Sequence, residues 1–227
     1  MSRRLVIPDI HGCSKTFEAL LEKIVFTRED HLFLLGDYID RGPDSSGVVD
    51  FIIRLKTEGY KIVALRGNHE DDLLKASQSF DKDSFVFYVN RFKSGDLLTA
   101  EGQIKEEYKT FFNSLPFYFE LPDFILVHAG VNFKIQNPFE DKDALIFLRN
   151  TDYNAHKAKN RRVIYGHQPT YINDIMAAID EQRFLIPLDN GCVYNSLHKV
   201  YDYRYLGHLL CLDLDSWELS MERNRDT

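Results

Sequence analysis

Short, continuously apolar runs alternate in this chain with stretches of helical periodicity, and each apolar run stops at a polar residue beside glycine or proline. Leu5-Val6-Ile7 ends at Pro8-Asp9, Leu32-Phe33-Leu34-Leu35 at Gly36-Asp37, and Ile62-Val63-Ala64-Leu65 at Arg66-Gly67-Asn68. Asp9 and Asp37 are 28 residues apart, and Asp37 and Asn68 are 31 apart. Each interval accommodates one strand–helix–strand unit. The intervening helices are predicted from apolar spacing: Phe17, Leu20, Leu21 and Ile24 after a capping Ser14, then Val48, Val49, Ile52, Ile53 and Leu55 after Ser45 or Ser46, with Gly59 as the stop. Strands that are apolar at every position are buried on both faces, which implies a largely parallel sheet covered by helices. The polar residues then recur at the carboxyl ends of neighbouring strands, where open α/β sheets bind ligands.

Further along, Phe124-Ile125-Leu126-Val127 and Val163-Ile164-Tyr165 are short strands, the first running directly into His128 and the second reaching His167 after Gly166. Phe184 to Pro187, Leu209 to Leu212 and Glu218 to Met221 read as late strands of a second sheet packed on the first. The segment from about 78 to 115 breaks the pattern and is predicted to be a mostly helical insertion near the site within one domain spanning 1–227. Its aromatic residues (Phe80, Phe85, Phe87, Tyr88, Phe92, Tyr108, Phe111 and Phe112) could wall a base-binding pocket, but their density fits a small core better.

The strand ends collect Asp9, His11, Asp37, Asp40, Asn68, His69, His128 and His167. Carboxylate, amide and imidazole donors suit divalent transition metals such as manganese, iron or zinc. Six of these groups hold two ions if one carboxylate bridges, which is the standard clamp for hydrolytic phosphoryl transfer. His31, His156, His198 and His208 lie outside such contexts and are expected to be structural or exposed.

The motifs Asp9-Ile10-His11-Gly12, Gly36-Asp37-Tyr38-Ile39-Asp40-Arg41-Gly42 and Gly67-Asn68-His69-Glu70 resemble the three signatures of the phosphoprotein phosphatase family, in its bacterial serine/threonine branch, a part of the calcineurin-like metallophosphoesterases. His128-Ala129-Gly130 and Gly166-His167-Gln168-Pro169 resemble its fourth and fifth motifs, in the right order. Pro8 and Ala129 depart from the family's usual glycines without removing a ligand atom. The resemblance implies an α/β fold, the four-layer α/β/β/α metallophosphoesterase sandwich of two mixed sheets. It implies that Asp9 and His11 hold one divalent ion, that Asp37 bridges, and that Asn68, His128 and His167 hold the second. Manganese is the expected metal, with iron or zinc as alternatives. His69 would protonate the leaving group, oriented by Asp40, while a metal-activated water attacks. Arg41 and Arg66, and Arg149 by likeness to the bacterial members, would grip the phosphoryl oxygens.

Other phosphatase chemistries fail on inspection. A cysteine nucleophile wants an arginine six residues on, and Cys13, Cys192 and Cys211 have Ala19, His198 and Trp217 there. There is no phosphate-cradling loop ending in Gly-Lys-Ser/Thr and no Gly-x-Ser-x-Gly elbow. Three cysteines fit a reducing compartment better than a disulfide framework. No apolar run approaches a membrane span, and the first residues do not read as a signal peptide, so the expected location is cytoplasmic. A net charge of −7 disfavours nonspecific nucleic-acid binding. The substrate expected is a phosphoprotein, or a small phosphate ester. The alternative is a symmetrical diadenosine tetraphosphatase, and Glu70 argues against it, because that branch usually carries aspartate there. A metal-free binding scaffold would have lost ligands, and all six are present.

Overall fold

A computed structural model describes residues 2–78, 82–194 and 205–226. Phe80 and His198 lie outside these. The first three units form as the apolar pattern predicts: β1 (Arg4–Ile7), α1 (Ser14–Lys23), β2 (His31–Leu34), α2 (Ser45–Thr57) and β3 (Lys61–Ala64). After α3 (Asn68–Ser77) come α4 (Lys82–Phe92), a 3₁₀ turn at Gly95–Leu97 and α5 (Glu106–Ser114). The remainder holds β4 (Tyr118–Glu120), β5 (Phe124–Val127), α6 (Lys142–Phe147), β6 (Arg162–Tyr165), α7 (Ile172–Asp180), β7 (Leu185–Pro187), β8 (His208–Asp213) and β9 (Leu219–Arg223).

Two mixed sheets result. One runs β3-β2-β1-β8-β9 and the other β4-β5-β6-β7. β1, β2 and β3 are parallel, as are β5, β6 and β7. β8 lies antiparallel to β1, and β9 antiparallel to β8. The expectation that all late strands join the second sheet is therefore corrected: β7 does, whereas β8 and β9 extend the first. Their hydrophobicity satisfies either location, and the antiparallel edge beside β1 is the one that pairs them.

Alternate residues of each strand serve different layers, because strand side chains point to opposite faces. Leu5, Ile7, Leu32, Leu34, Leu209 and Cys211 pack against α1 and α2. Val6, Phe33, Leu35, Leu210 and Leu212 face the second sheet and meet Phe124, Leu126, Ile164 and Ile186. Ile125, Val127 and Val163 turn outward under Leu145, Val131 and Phe133. Each aliphatic side chain buried this fully contributes roughly 1.5–3 kcal/mol, so the two sheets are joined by a continuous apolar seam.

Two local readings change. Ser14 does not cap α1; the N-cap position is Cys13, which has no side-chain cap. The Ser14 hydroxyl donates instead to Asp44 Oδ2 at 2.5 Å. Asp44 is the cap of α2, accepting from the Gly47 N–H at 2.9 Å. In the segment from 78 to 115, Tyr108, Phe111 and Phe112 are buried in the helix-side core rather than in a core of their own, and Phe85 and Tyr88 pack against it. Phe87 is exposed. Among the described residues no helix is long and apolar enough to cross a membrane.

Candidate metal centre

Asp9 and His11 follow β1, Asp37 and Asp40 follow β2, and Asn68 and His69 open α3 after β3. From the second sheet, His128 follows β5 and His167 follows β6. The structure brings these eight together. His11, Asp37 and His69 offer donor atoms within 4.8 Å of one another, and so do Asp37, His128 and His167, so Asp37 belongs to both groups. Asn68 Oδ1 lies 3.0 Å from His128 Nε2 and 2.9 Å from His167 Nδ1. Asp9 reaches the cluster through the backbone, with Oδ1 accepting the His167 N–H at 3.0 Å.

Hydrogen bonds set which imidazole nitrogen faces inward. His11 Nδ1 is 2.9 Å from the Ile39 carbonyl, and His128 Nδ1 is 3.1 Å from the Leu35 carbonyl. A carbonyl only accepts, so Nδ1 carries the proton in each and Nε2 presents a lone pair, the usual arrangement of a metal-ligating histidine. Burial, with Arg41 second, holds His11 well below the ordinary imidazole range, and burial also lowers His128. Burial and the neighbouring His128 pull His167 down to about 4. Three neutral, donor-ready imidazoles result.

The carboxylates are crowded. Burial, then Asp189 and Asp37, push Asp9 well above the carboxylate range. Asp37 goes the other way: burial raises it, but His128, His69 and His11 outweigh that and lower it. Carboxyl groups crowded enough to push Asp9 upward, beside imidazoles held below their ordinary range, are short of positive charge, and the donor chemistry fits divalent cations.

His69 differs from the other histidines. Its Nδ1 lies 2.5 Å from Asp40 Oδ2, leaving Nε2 at 3.9 Å from Asp37 Oδ2. Burial lowers its pKa, but Asp37 and the hydrogen bond to Asp40 outweigh it, and the result is raised. An imidazole that favours its proton is a better acid than ligand.

Of the three arginines, Arg41 reaches the cluster, with Nη1 2.6 Å from His11 Nε2. Arg149 is exposed, and its charge is among those that depress His167. Arg66 is engaged elsewhere: Nη1 contacts Asp71 Oδ1 at 3.2 Å, Nη2 donates to the Phe112 carbonyl at 2.7 Å, and the guanidinium sits 5.0 Å over the Phe117 ring. The Phe112 carbonyl belongs to the last turn of α5, where it also accepts the Leu115 N–H at 3.3 Å, and the carbonyl end of a helix attracts a cation.

Sequence reasoning missed Asp189, Tyr88 and Ser94 as supports of the site. Asp189, after β7, is buried beside Asp9 and pushed up to about 7 by burial. Tyr88 and Ser94 both contact Asp40. Glu70 accepts the N–H groups of Asp37, Tyr38 and Gly67 at 3.0, 2.8 and 3.0 Å. A strand-end position after β7 was the available signal for Asp189. The backbone adds another device: His11, Asp37, Asp40, Arg41 and His167 all have positive φ, a strained conformation that clusters at functional sites. Gly67 is required here, since a side chain on it would collide with Asp37 Oδ1.

A strand-end cluster of metal donors spanning two mixed sheets defines a metal-dependent phosphoesterase architecture. The model of the calcineurin-like phosphoesterase family matches residues 2–211, and the chain belongs to that family. It is 26% identical over 187 residues to a symmetrical bis(5'-nucleosyl)-tetraphosphatase of Vibrio campbellii, covering 80% of this chain and 64% of that protein. It therefore spans less than two thirds of that relative's length. It is 25% identical over 220 residues to an asymmetrical bis(5'-nucleosyl)-tetraphosphatase of Anoxybacillus flavithermus, covering 83% of this chain and 85% of that one. A solved structure assigned as a diadenosine tetraphosphatase superposes with a TM-score of 0.69 at 22% identity, covering 100% of this chain and 95% of the other.

Proposed function

We propose that this chain hydrolyses the phosphate bridge of a dinucleoside polyphosphate, using two divalent ions and a histidine acid. The observation that carries the chemistry is the membership of Asp37 in both donor groups. In this reading Asp9, His11 and Asp37 hold one ion, and Asp37, Asn68, His128 and His167 hold the other. Manganese is the first choice, with iron and zinc compatible with the same donors. Bound there, the ions supply positive charge to the developing transition state and lower the pKa of the attacking water. The chain's own part is to orient and to move a proton. Asp40 holds Nδ1 of His69, so Nε2 is the nitrogen that delivers a proton to the departing oxygen. Arg41 stands beside the donors as a grip for phosphoryl oxygens. Three free, buried cysteines suit a reducing, cytoplasmic setting.

The substrate class rests on the relatives, which are named as symmetrical and asymmetrical bis(5'-nucleosyl)-tetraphosphatases. This reverses the preference for phosphoproteins. That preference leaned on Glu70, whose carboxylate is fully buried and committed to three backbone N–H groups. Position 70 thus braces the loops and has no route to a substrate. The test is kcat/KM for diadenosine tetraphosphate and for a phosphoserine peptide under one metal and one pH. A tenfold preference for the dinucleotide, about 1.4 kcal/mol of transition-state stabilisation, is expected; a tenfold preference for the peptide restores the phosphoprotein reading. The products, two ADP or ATP with AMP, distinguish the two cleavage modes.

A further inference from the structure

Asp40 is fully buried, and a carboxylate in that position needs its lone pairs occupied. One of its partners is His69. The others come from a segment that carries none of the metal-donor motifs. Tyr88, on α4, brings its hydroxyl to 2.8 Å from Asp40 Oδ2, the oxygen that also faces His69 Nδ1 at 2.5 Å. Ser94, just past α4, donates its hydroxyl to Asp40 Oδ1. The same helix end touches the rest of the pair. The Phe92 ring meets the His69 ring edge-on, with centroids 5.3 Å apart, and the Phe92 carbonyl accepts the Arg41 N–H at 2.8 Å. The Tyr88 hydroxyl is also 3.2 Å from the His69 carbonyl. Burial and the nearby Asp40 push the Tyr88 phenol upward, so it remains a proton donor.

We propose that Tyr88 and Ser94 are positioning residues: their hydroxyls clamp the two oxygens of Asp40 so that Asp40 holds His69 in the orientation that protonates the leaving group. The proposal rests on the reading of His69 as the acid. It gives the segment from 78 to 115 a task in the chemistry. A carboxylate held by His69 alone could rotate about its own axis and carry the imidazole with it. Two hydroxyls on opposite oxygens remove that freedom, and hydrogen bonds to charged acceptors are the stronger kind. The competing account is that the two contacts only anchor α4 to the body of the protein. Orientation of a proton donor matters most where the leaving group is poor, whereas anchoring affects all substrates alike.

The experiment compares the full chain with Tyr88→Phe, Ser94→Ala and His69→Asn, all manganese-loaded, on phosphoserine and on p-nitrophenyl phosphate. Serine leaves as a poor alkoxide, while nitrophenolate needs little protonation. General acid catalysis is worth roughly 10²–10⁴-fold, so Tyr88→Phe and Ser94→Ala should each lose about tenfold in kcat on phosphoserine. KM should hold, and kcat on p-nitrophenyl phosphate should hardly move. Equal losses on both substrates, or no loss on either, in the two hydroxyl variants while His69→Asn stays selective for phosphoserine would overturn the proposal alone. Equal losses in His69→Asn would overturn the reading of His69, and the proposal with it. Thermal midpoints confirm folding, and if Ser94→Ala does not fold, Tyr88→Phe decides.

Discussion

Asp40 and Glu70 are both fully buried carboxyl groups around one cluster, yet their neighbours assign them opposite kinds of work. Asp40 faces an imidazole that carries a proton, and Glu70 faces three backbone N–H groups. Burial, helped by Asp37, pushes Glu70 up to about 8, the cost of keeping a carboxyl group where the loops need it. Glu70→Asp withdraws the carboxylate by one methylene from N–H groups that have no other partner in reach. An unsatisfied buried group costs about 1–3 kcal/mol, so urea unfolding should report a loss of roughly 2 kcal/mol. The ratio of kcat/KM for dinucleotide over phosphopeptide should stay constant; a shift of that ratio toward the dinucleotide would return position 70 to the list of specificity determinants. The arginines divide as sharply. Lysine lacks the planar fork, so Arg41→Lys should weaken inorganic-phosphate inhibition about tenfold, which is about 1.4 kcal/mol. Arg66→Lys should leave that inhibition unchanged and lower stability, since its contacts are Asp71, the Phe112 carbonyl and the Phe117 ring. Equal effects on phosphate binding would refute the distinction. The strand-end donors were legible because their chain order alone places them together. The direction of Arg66 was not, since a long side chain turns toward whichever acceptor tertiary packing supplies, here an acid on α3 and a carbonyl at the end of α5.

Elements show a parallel divide between what a pattern specifies and what packing decides. A run such as Leu209-Leu210-Cys211-Leu212 states that a strand forms and that both its faces are buried, and β8 obeys. It says nothing of which sheet receives it. Parallel β1, β2 and β3 are legible from the helical spacers between them, because a crossover has a characteristic length; β8 and β9 carry no such ruler. The cap of α2 moved from Ser45 or Ser46 to Asp44 for a related reason: aspartate accepts from the helix N-terminus and takes the Ser14 hydroxyl as well, which joins α2 to the start of α1. The ends of β1 and β2 are tied by a comparable device. Asp30 accepts from Arg3 Nε at 3.0 Å, from Arg3 Nη2 at 2.7 Å and from the Thr27 N–H at 3.0 Å. Arg3, first among the causes, holds the Asp30 carboxyl well below the usual range against the effect of burial. A depressed folded-state pKa stabilises the fold above the unfolded value, about 3.9 for aspartate, and the gain disappears as pH falls through the folded value. Asp30→Asn should therefore be less stable than the parent at neutral pH, and the gap should narrow at about pH 3. Urea midpoints at the two pH values measure it, and a gap that ignores pH would show that Asp30 acts through packing rather than charge.

At the scale of the whole molecule, the candidate centre sits where the two sheets meet at their carboxyl ends. Asp9, His11, Asp37 and Asn68 come from the first sheet, and His128 and His167 from the second. The apolar seam of Val6, Phe33, Leu126, Ile164 and Leu210 holds the sheets together below. At the polar end the sheets meet through hydrogen bonds, from the His167 N–H to Asp9 and from His128 Nδ1 to the Leu35 carbonyl, around carboxyl groups crowded enough to push Asp9 upward. Divalent ions bound between Asp37 and the two histidines would cross-link the sheets there. Binding to the folded state alone stabilises by about 2.7 kcal/mol at a hundredfold excess of ligand over Kd, so metal loading should raise the thermal midpoint appreciably and chelation should reverse it. Amide exchange should slow most where β5 and β6 enter the centre, because these elements bring His128 and His167. The two-ion reading adds a stoichiometric demand. The loaded chain should carry close to two ions by elemental analysis, and His167→Ala should carry one and lose the part of the stabilisation that bridges the sheets. A plateau at one ion in the parent chain, with His167→Ala unchanged in both metal content and thermal midpoint, would mean that no metal joins the sheets and that the second group of donors serves only the fold.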